Sequence, residues 1–219
     1  MPMEAILEQL IDSPRLILFQ REIEQVLDTE QIRREHFIET MPDTGKIEFI
    51  NGQVVVQSPS QLNEILASQH FFVLLDVYVD SRNLGFVGLE KMLISLTRND
   101  YEPDICFFSR EVADAFTPKQ MRFPAPDFIA EVLSDSTARN DRGVKFDDYA
   151  AHGVAEYWLI DPQDEIVEQY FSDGSHYNLA YKVGSGVLTS RVVAGFTIPV
   201  QAIFDAKVNL VALRQLLLG

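Results

Sequence analysis

Two acidic residues stand in apolar surroundings and are the first candidates for chemistry. Asp104 opens the run D-I-C-F-F after Pro103, and Glu131 sits inside P-D-F-I-A-E-V-L-S among Phe128, Ile129, Ala130, Val132 and Leu133. An ionised carboxylate in a buried strand is costly unless it meets a cation, a metal or a proton. Both segments read as strands, and two adjacent strands can hold two carboxylates within a few ångströms. Oxygen ligands of this kind suit Mg2+ or Mn2+, which take one or two carboxylates with water and phosphate completing the shell. Such an ion activates water and stabilises the charge of an in-line phosphoryl displacement. Taken alone, the pair is equally compatible with an Asp104 that caps a turn and a Glu131 that pairs with a nearby Lys or Arg.

Lys145 lies in R-G-V-K-F-D-D-Y, on the helix expected directly after the Glu131 strand. From there a lysine can fold back and set its ammonium beside an attacking water or a phosphate. The ordinary alternative is an exposed helix lysine. Glu48, in I-E-F-I-N-G, is a fourth candidate: it alternates with Ile47 and Phe49 and so points to the opposite face of its strand, although spacing alone favours a plain solvent-facing glutamate. Glu64, on a long helix, is a weaker candidate.

The elements that must position these residues follow from periodicity and turn chemistry. Residues 3–40 read as helical with a break at Ser13-Pro14, and the charged stretch from Asp28 to Glu39 reads as a solvated helix. Met41 to Gly45 reads as a turn. K-I-E-F-I-N-G-Q-V-V-V-Q is a β-hairpin around Asn51-Gly52. A long helix is expected over 61–80, one strand over 86–96, another over 104–109, and a short helix or loop over 110–120. The Glu131 strand spans 127–133, and a helix follows from about Arg142 to His152, closed by Gly153. Strand E-Y-W-L-I-D, a hairpin turning at Ser172 to Ser175, a short strand within 187–200 and an apolar C-terminal helix complete the chain. This order implies an α/β fold, a mixed central sheet with helices on both faces and an N-terminal helical extension. The division expected is an extension over 1–40 and one domain over 41–219, with the C-terminal helix as a homodimer surface.

Composition narrows the classes. A chain of 219 residues with net charge −15 repels phosphate backbones unless a basic patch or a bound cation offsets it, which counts against generic nucleic-acid binding. No apolar run approaches the roughly 20 residues that span a bilayer. The N-terminal M-P-M-E-A-I-L-E lacks the basic-then-apolar order of a secretory signal, so the cytoplasm is the expected compartment. Cys106, the single cysteine, reads as a core residue, as does Trp158. The four histidines, at 36, 70, 152 and 176, have no metal-ligand spacing, and no serine stands in G-x-S-x-G.

The series I-E-F-I-N-G-Q, S-P-S before a long helix, E-P-D-I-C-F, P-D-F-I-A-E-V-L-S-D-S-T and K-F-D-D-Y-A-A-H-G-V-A-E-Y-W-L-I-D-P resembles the Uma-two family, assigned to the PD-(D/E)XK restriction-endonuclease-like nucleases and abundant in cyanobacteria. The resemblance covers residues 40–205. It implies a restriction-endonuclease-like mixed sheet flanked by helices, and DNA phosphodiester hydrolysis dependent on Mg2+ or Mn2+. Asp104 matches the motif's Asp and Glu131 its second acid. Leu133 stands where the family's lysine is expected, and Lys145 matches a displaced lysine. Glu48 matches the acid of the first hairpin, and the Val132 carbonyl is expected to help Asp104 and Glu131 hold the metal. Asp127 also follows a proline but shares a strand with Glu131, so Asp104 is the better motif residue. Asn63 stands near the place of a histidine common in the family, and N-D-Y-E precedes the metal Asp where a more basic stretch is usual. The rival expectations are a nuclease-like binding or assembly module with little catalysis, and hydrolysis of a small phosphorylated compound.

Overall fold

The computed structural model describes residues 3–42 and 45–218, so part of the turn expected at 41–45 lies outside the described residues. The chain runs α1 (Met3–Ile11), α2 (Leu16–Thr40), β1 (Ile47–Ile50), β2 (Gln53–Val56), α3 (Leu62–Arg82), β3 (Gly85–Leu89), β4 (Leu93–Ser95), β5 (Asp100–Tyr101), β6 (Ile105–Ser109) and α4 (Arg110–Ala113). It continues with β7 (Arg122–Phe123), β8 (Phe128–Val132), α5 (Ala138–Asp141), α6 (Val144–Ala151), β9 (Glu156–Asp161), β10 (Ile166–Ser172), β11 (Tyr177–Val183), β12 (Val187–Thr189), β13 (Thr197–Pro199), a 3-10 turn (Val200–Ile203) and α7 (Ala206–Leu218).

The main sheet has six strands in the order β11-β10-β9-β8-β6-β3, all neighbours antiparallel except the parallel pair β8 and β9. Alternation along β8 sends Phe128, Ala130 and Val132 into a core under α3 and α7, where Phe71 stacks on Trp158 at 5.2 Å. Ile129 and Leu133 face the other way, into a second core with Tyr149 and Ala150 of α6. Glu131 shares the parity of these two, so it faces α6. Helices therefore cover both faces of the sheet, as the element order implied. Cys106 and Trp158 are fully buried, and burial pushes the Cys106 thiol up to about 12.

A second, five-stranded sheet (β2-β1-β5-β4-β7) stands beside the first. Its hairpin turns at Asn51 and Gly52, both with positive φ, as a tight Asn-Gly turn requires. The single strand expected over 86–96 is two strands in different sheets. Glu90 adopts φ 51 between them, and β3 joins the main sheet while β4 joins the second. The helix expected over 142–152 is likewise preceded by the short α5, with Gly143 at the break.

The reading of 28–39 as a solvated helix fails at two residues of α2. Phe37 packs against Phe49, and Arg34 is buried against Asp100 with distances of 2.5 and 2.8 Å. Arg34 also donates to the carbonyls of Leu96, Thr97 and Asn99. Sequence alone gives no hint of this, because the partner lies 66 positions away. α7 places Asn209 and Ala212 inward and leaves Leu210, Val211, Leu217 and Leu218 exposed. Among the described residues no helix is long and apolar enough to cross a membrane.

Arg34 fixes the end of α2 to the second sheet, so Arg34→Ala leaves Asp100 buried without its cation. A loss of about 3–5 kcal/mol is expected, read as a lower urea midpoint, and an unchanged midpoint would contradict the anchor.

Candidate active site

β6 and β8 are antiparallel, so the start of β6 and the end of β8 meet at one edge of the main sheet. Their pairing ends at Ile105 and Ala130, and the next residues outward are Asp104 and Glu131. The two carboxylates lock each other's strands. The Asp104 backbone N–H donates to Glu131 Oε2 at 3.1 Å, and the Val132 N–H donates to Asp104 Oδ2 at 2.7 Å. Asp127, the other proline-preceded aspartate, lies at the opposite end of this pairing and accepts the Ser109 N–H at 2.7 Å.

Behind Glu131 stands Lys145. Its ammonium is 2.9 Å from Glu48, 3.1 Å from Glu131 and 3.1 Å from Asp141, with every side chain of the group at most 2% exposed. Lys145 is thus no exposed helix lysine. Nor does Glu48 face solvent: the second sheet turns that face of β1 inward, where Glu48 also accepts the Glu102 N–H. Tyr149, one turn after Lys145, donates to Glu131 Oε1 at 3.0 Å. Glu64 caps its own helix, accepting the Gln61 N–H in a capping box.

In front of Asp104 stands Lys46, whose ammonium bonds Asp104 Oδ1. These two side chains keep 15% and 20% exposure, in contrast to the sealed Lys145 group. They line a cleft of about 230 Å³ between the turn at Gln57 to Gln61 and the loop from Ser134 to Thr137. Lys46 and Lys145 are the basic residues lining this cleft among the described residues, and Glu64, Glu90 and Asp135 add negative charge around it.

The protonation pattern follows from this placement. Burial pushes the Glu131 carboxyl up to about 8, with Lys145 pulling the other way. Burial also works against Asp104, but Lys46, the Val132 N–H and Lys145 together outweigh it and hold that carboxyl below its usual value. Burial would lower both lysines, yet their carboxylate partners outweigh it and keep both raised as ammonium ions. The two acids of the pair are thus shifted in opposite directions, Glu131 upward and Asp104 downward.

The family described as "Putative restriction endonuclease", Uma2, matches residues 33–201. The chain belongs to the Uma2 family. The matched region begins one residue before Arg34, so the α2 anchor falls inside it. A protein of Synechocystis sp. (strain ATCC 27184 / PCC 6803 / Kazusa), sll1609, described as uncharacterized, is 32% identical over 130 residues, covering 58% of this chain and 72% of that protein. A crystal structure described as a putative nuclease belonging to DUF820, from Anabaena variabilis ATCC 29413, superposes with a TM-score of 0.66 at 17% identity, covering 76% of this chain and 94% of that one. The Uma2 chain thus has the mixed α/β fold of a structure described as a nuclease.

The four stronger side-chain candidates of the sequence meet at this edge: Asp104, Glu131, Lys145 and Glu48. Sequence reasoning missed Lys46, Asp141 and Tyr149. Asp141 and Tyr149 each lie four positions from Lys145, the spacing of helical neighbours. Lys46 lies two positions before Glu48, the spacing of residues on one face of a strand.

Among the described residues no three His, Cys, Asp or Glu side chains converge as a metal-binding group. The donor set still fits a hard divalent ion of the Mg2+ or Mn2+ kind. The oxygen donors of the acidic pair at the cleft are the carboxylates of Asp104 and Glu131, and such ions take one or two carboxylates with the rest supplied by water and substrate. Charge points the same way: the carboxylates of Glu48, Asp104, Glu131 and Asp141 face two ammonium groups, leaving two negative charges uncompensated when all are ionised.

Lys145→Met would leave Glu48, Glu131 and Asp141 buried without their cation. A destabilisation of about 3–5 kcal/mol is expected, measured by urea denaturation, and a change below about 1 kcal/mol would refute the shared-cation arrangement.

Proposed function

We propose that this Uma2 protein is a Mg2+- or Mn2+-dependent endonuclease that hydrolyses DNA phosphodiester bonds at the Asp104 and Glu131 edge. The observation that carries the reading is the meeting of Asp104 and Glu131, each bonded to the other's strand, at the floor of an open cleft. Family membership supports the reaction class.

Asp104 and Glu131 would hold the ion, with the Val132 carbonyl beside them. Bound there, the ion supplies Lewis acidity to the phosphate and lowers the pKa of water. The protein's part is positional. Lys145 and Tyr149 fix Glu131 from behind, and the Asp104 N–H and Val132 N–H fix the two carboxylates against each other. Lys145 donates to Glu131 and stands 2.9 Å from Glu48 and 3.1 Å from Asp141, so it acts as a positioning residue through Glu131. Glu48 holds Lys145 in place. The exposed hydroxyls of Ser58, Ser60 and Ser136 rim the cleft as donors to a phosphate backbone. In the reaction a water oxygen bonds to phosphorus, one phosphorus–oxygen bond to sugar breaks, and the water's proton ends on the leaving oxygen. A homodimer, with the exposed apolar face of α7 as its contact, would set two such clefts on the two strands.

One observation favours the second reading, a nuclease-like binding or assembly module. The cleft rim is acidic through Glu64, Glu90 and Asp135, and the net charge is −15.

Titration calorimetry with Mn2+ is expected to show binding to the wild type and none to Asp104→Ala, and equal binding by both would sink the assignment. Plasmid DNA incubated with Mn2+ is expected to be cut, with at least about a 100-fold loss in Glu131→Ala. No cutting by the wild type across metals and DNA substrates would favour the second reading.

A further inference from the structure

We propose that Lys46 is a built-in counter-cation that occupies Asp104 until a divalent ion displaces it, and that the displaced ammonium is the group that meets the substrate phosphate. The inference rests on the proposed metal site and adds a residue to it.

The bonds around the acidic pair leave one oxygen open to exchange. Asp104 Oδ2 is fixed by the Val132 N–H, and Glu131 Oε2 by the Asp104 N–H, both backbone donors that cannot move without breaking the sheet edge. Glu131 Oε1 is held by Lys145 and Tyr149 from inside the core. Asp104 Oδ1 alone is held from the cleft side, and its partner is a side chain on a flexible four-carbon stem. An ion entering the cleft meets Lys46 first. Two cations on one carboxylate repel, so binding at Oδ1 drives the ammonium off.

Lys46 is also placed to be useful once it leaves. Its backbone is pinned, since its carbonyl accepts the Gln57 N–H at 3.0 Å and Glu48, two residues on, is clamped to Lys145. The stem therefore starts from a fixed point at the cleft wall. Only one of its three N–H groups has a partner among the described residues, so it has donors to spare for phosphate oxygens. Lys145 is sealed among three carboxylates. A cleft whose rim is acidic needs one cation free to face an anionic substrate, and Lys46 is the lysine with exposure to do it.

The two halves of the proposal make opposite demands on one substitution. In calorimetry, Lys46→Met and Lys46→Gln are expected to bind Mn2+ about tenfold more tightly than the wild type, because removing a partly exposed ion pair frees Asp104. At saturating Mn2+ the same variants are expected to cut plasmid DNA about 100-fold more slowly, with Lys46→Arg partly restored. Thermal melting close to that of the wild type establishes that the variants fold. Mn2+ binding as weak as or weaker than wild type in both folded variants overturns the counter-cation role while leaving the metal site standing. Tighter binding with undiminished cutting overturns the substrate contact. Absence of Mn2+ binding by the wild type and by both variants overturns the metal site and this inference together.

Discussion

One buried ammonium holds the site and much of the fold. Lys145 joins Glu48 from the second sheet, Glu131 from the main sheet and Asp141 from the helix between β8 and α6. Desolvating four charged groups is expensive, and their mutual attraction repays it only when geometry is good and every donor is used. Here one ammonium lies within 3.1 Å of three carboxylates, and Tyr149 adds a further donor to Glu131. Separation of the sheets would strand these charges in the core. Lys145 and Tyr149 hold Glu131 Oε1 from inside the core, and the Asp104 N–H holds Oε2 at the sheet edge beside the cleft.

Comparison with Glu156 sharpens the distinction between a structural acid and a candidate active one. Glu156 is fully buried, yet it accepts from Trp158, Gln169, Ser190 and the backbone N–H groups of Arg191 and Val192. Neutral donors satisfy it completely, and it ties the loop before β13 to the main sheet. Glu131 has instead a lysine behind it, a second carboxylate beside it and an open cleft in front. The excess of negative charge at Asp104 and Glu131 has no neutral remedy. It calls for a proton or a cation, which the Glu156 site does not.

The sequence made the main sheet and the acidic pair legible for physical reasons. Glu131 stood out because strand alternation makes a carboxylate in an apolar run expensive, and Asn51-Gly52 marked its hairpin because both residues tolerate positive φ. Lys145 and Glu48 were legible as positions, but their burial was not, since it depends on a second sheet folding over them. The strand expected over 86–96 is split by Glu90, whose positive φ is rare outside glycine and asparagine and leaves no compositional trace. Arg34 looked like one charge among many on a polar helix, and only a partner far along the chain makes it a core residue. Lys46 carries no signal in the sequence because it precedes the first strand and its partner lies 58 positions along the chain.

The central claim is that Asp104 and Glu131 together hold a divalent ion that Lys46 replaces when the ion is absent. A crystal of the protein soaked in Mn2+ and measured at a wavelength where manganese scatters anomalously tests this directly. The expected result is an anomalous peak bridging the Asp104 and Glu131 carboxylates, with the Lys46 ammonium moved off Asp104 into the cleft. An absent peak, or one elsewhere, with Lys46 still bonded to Asp104, would contradict it.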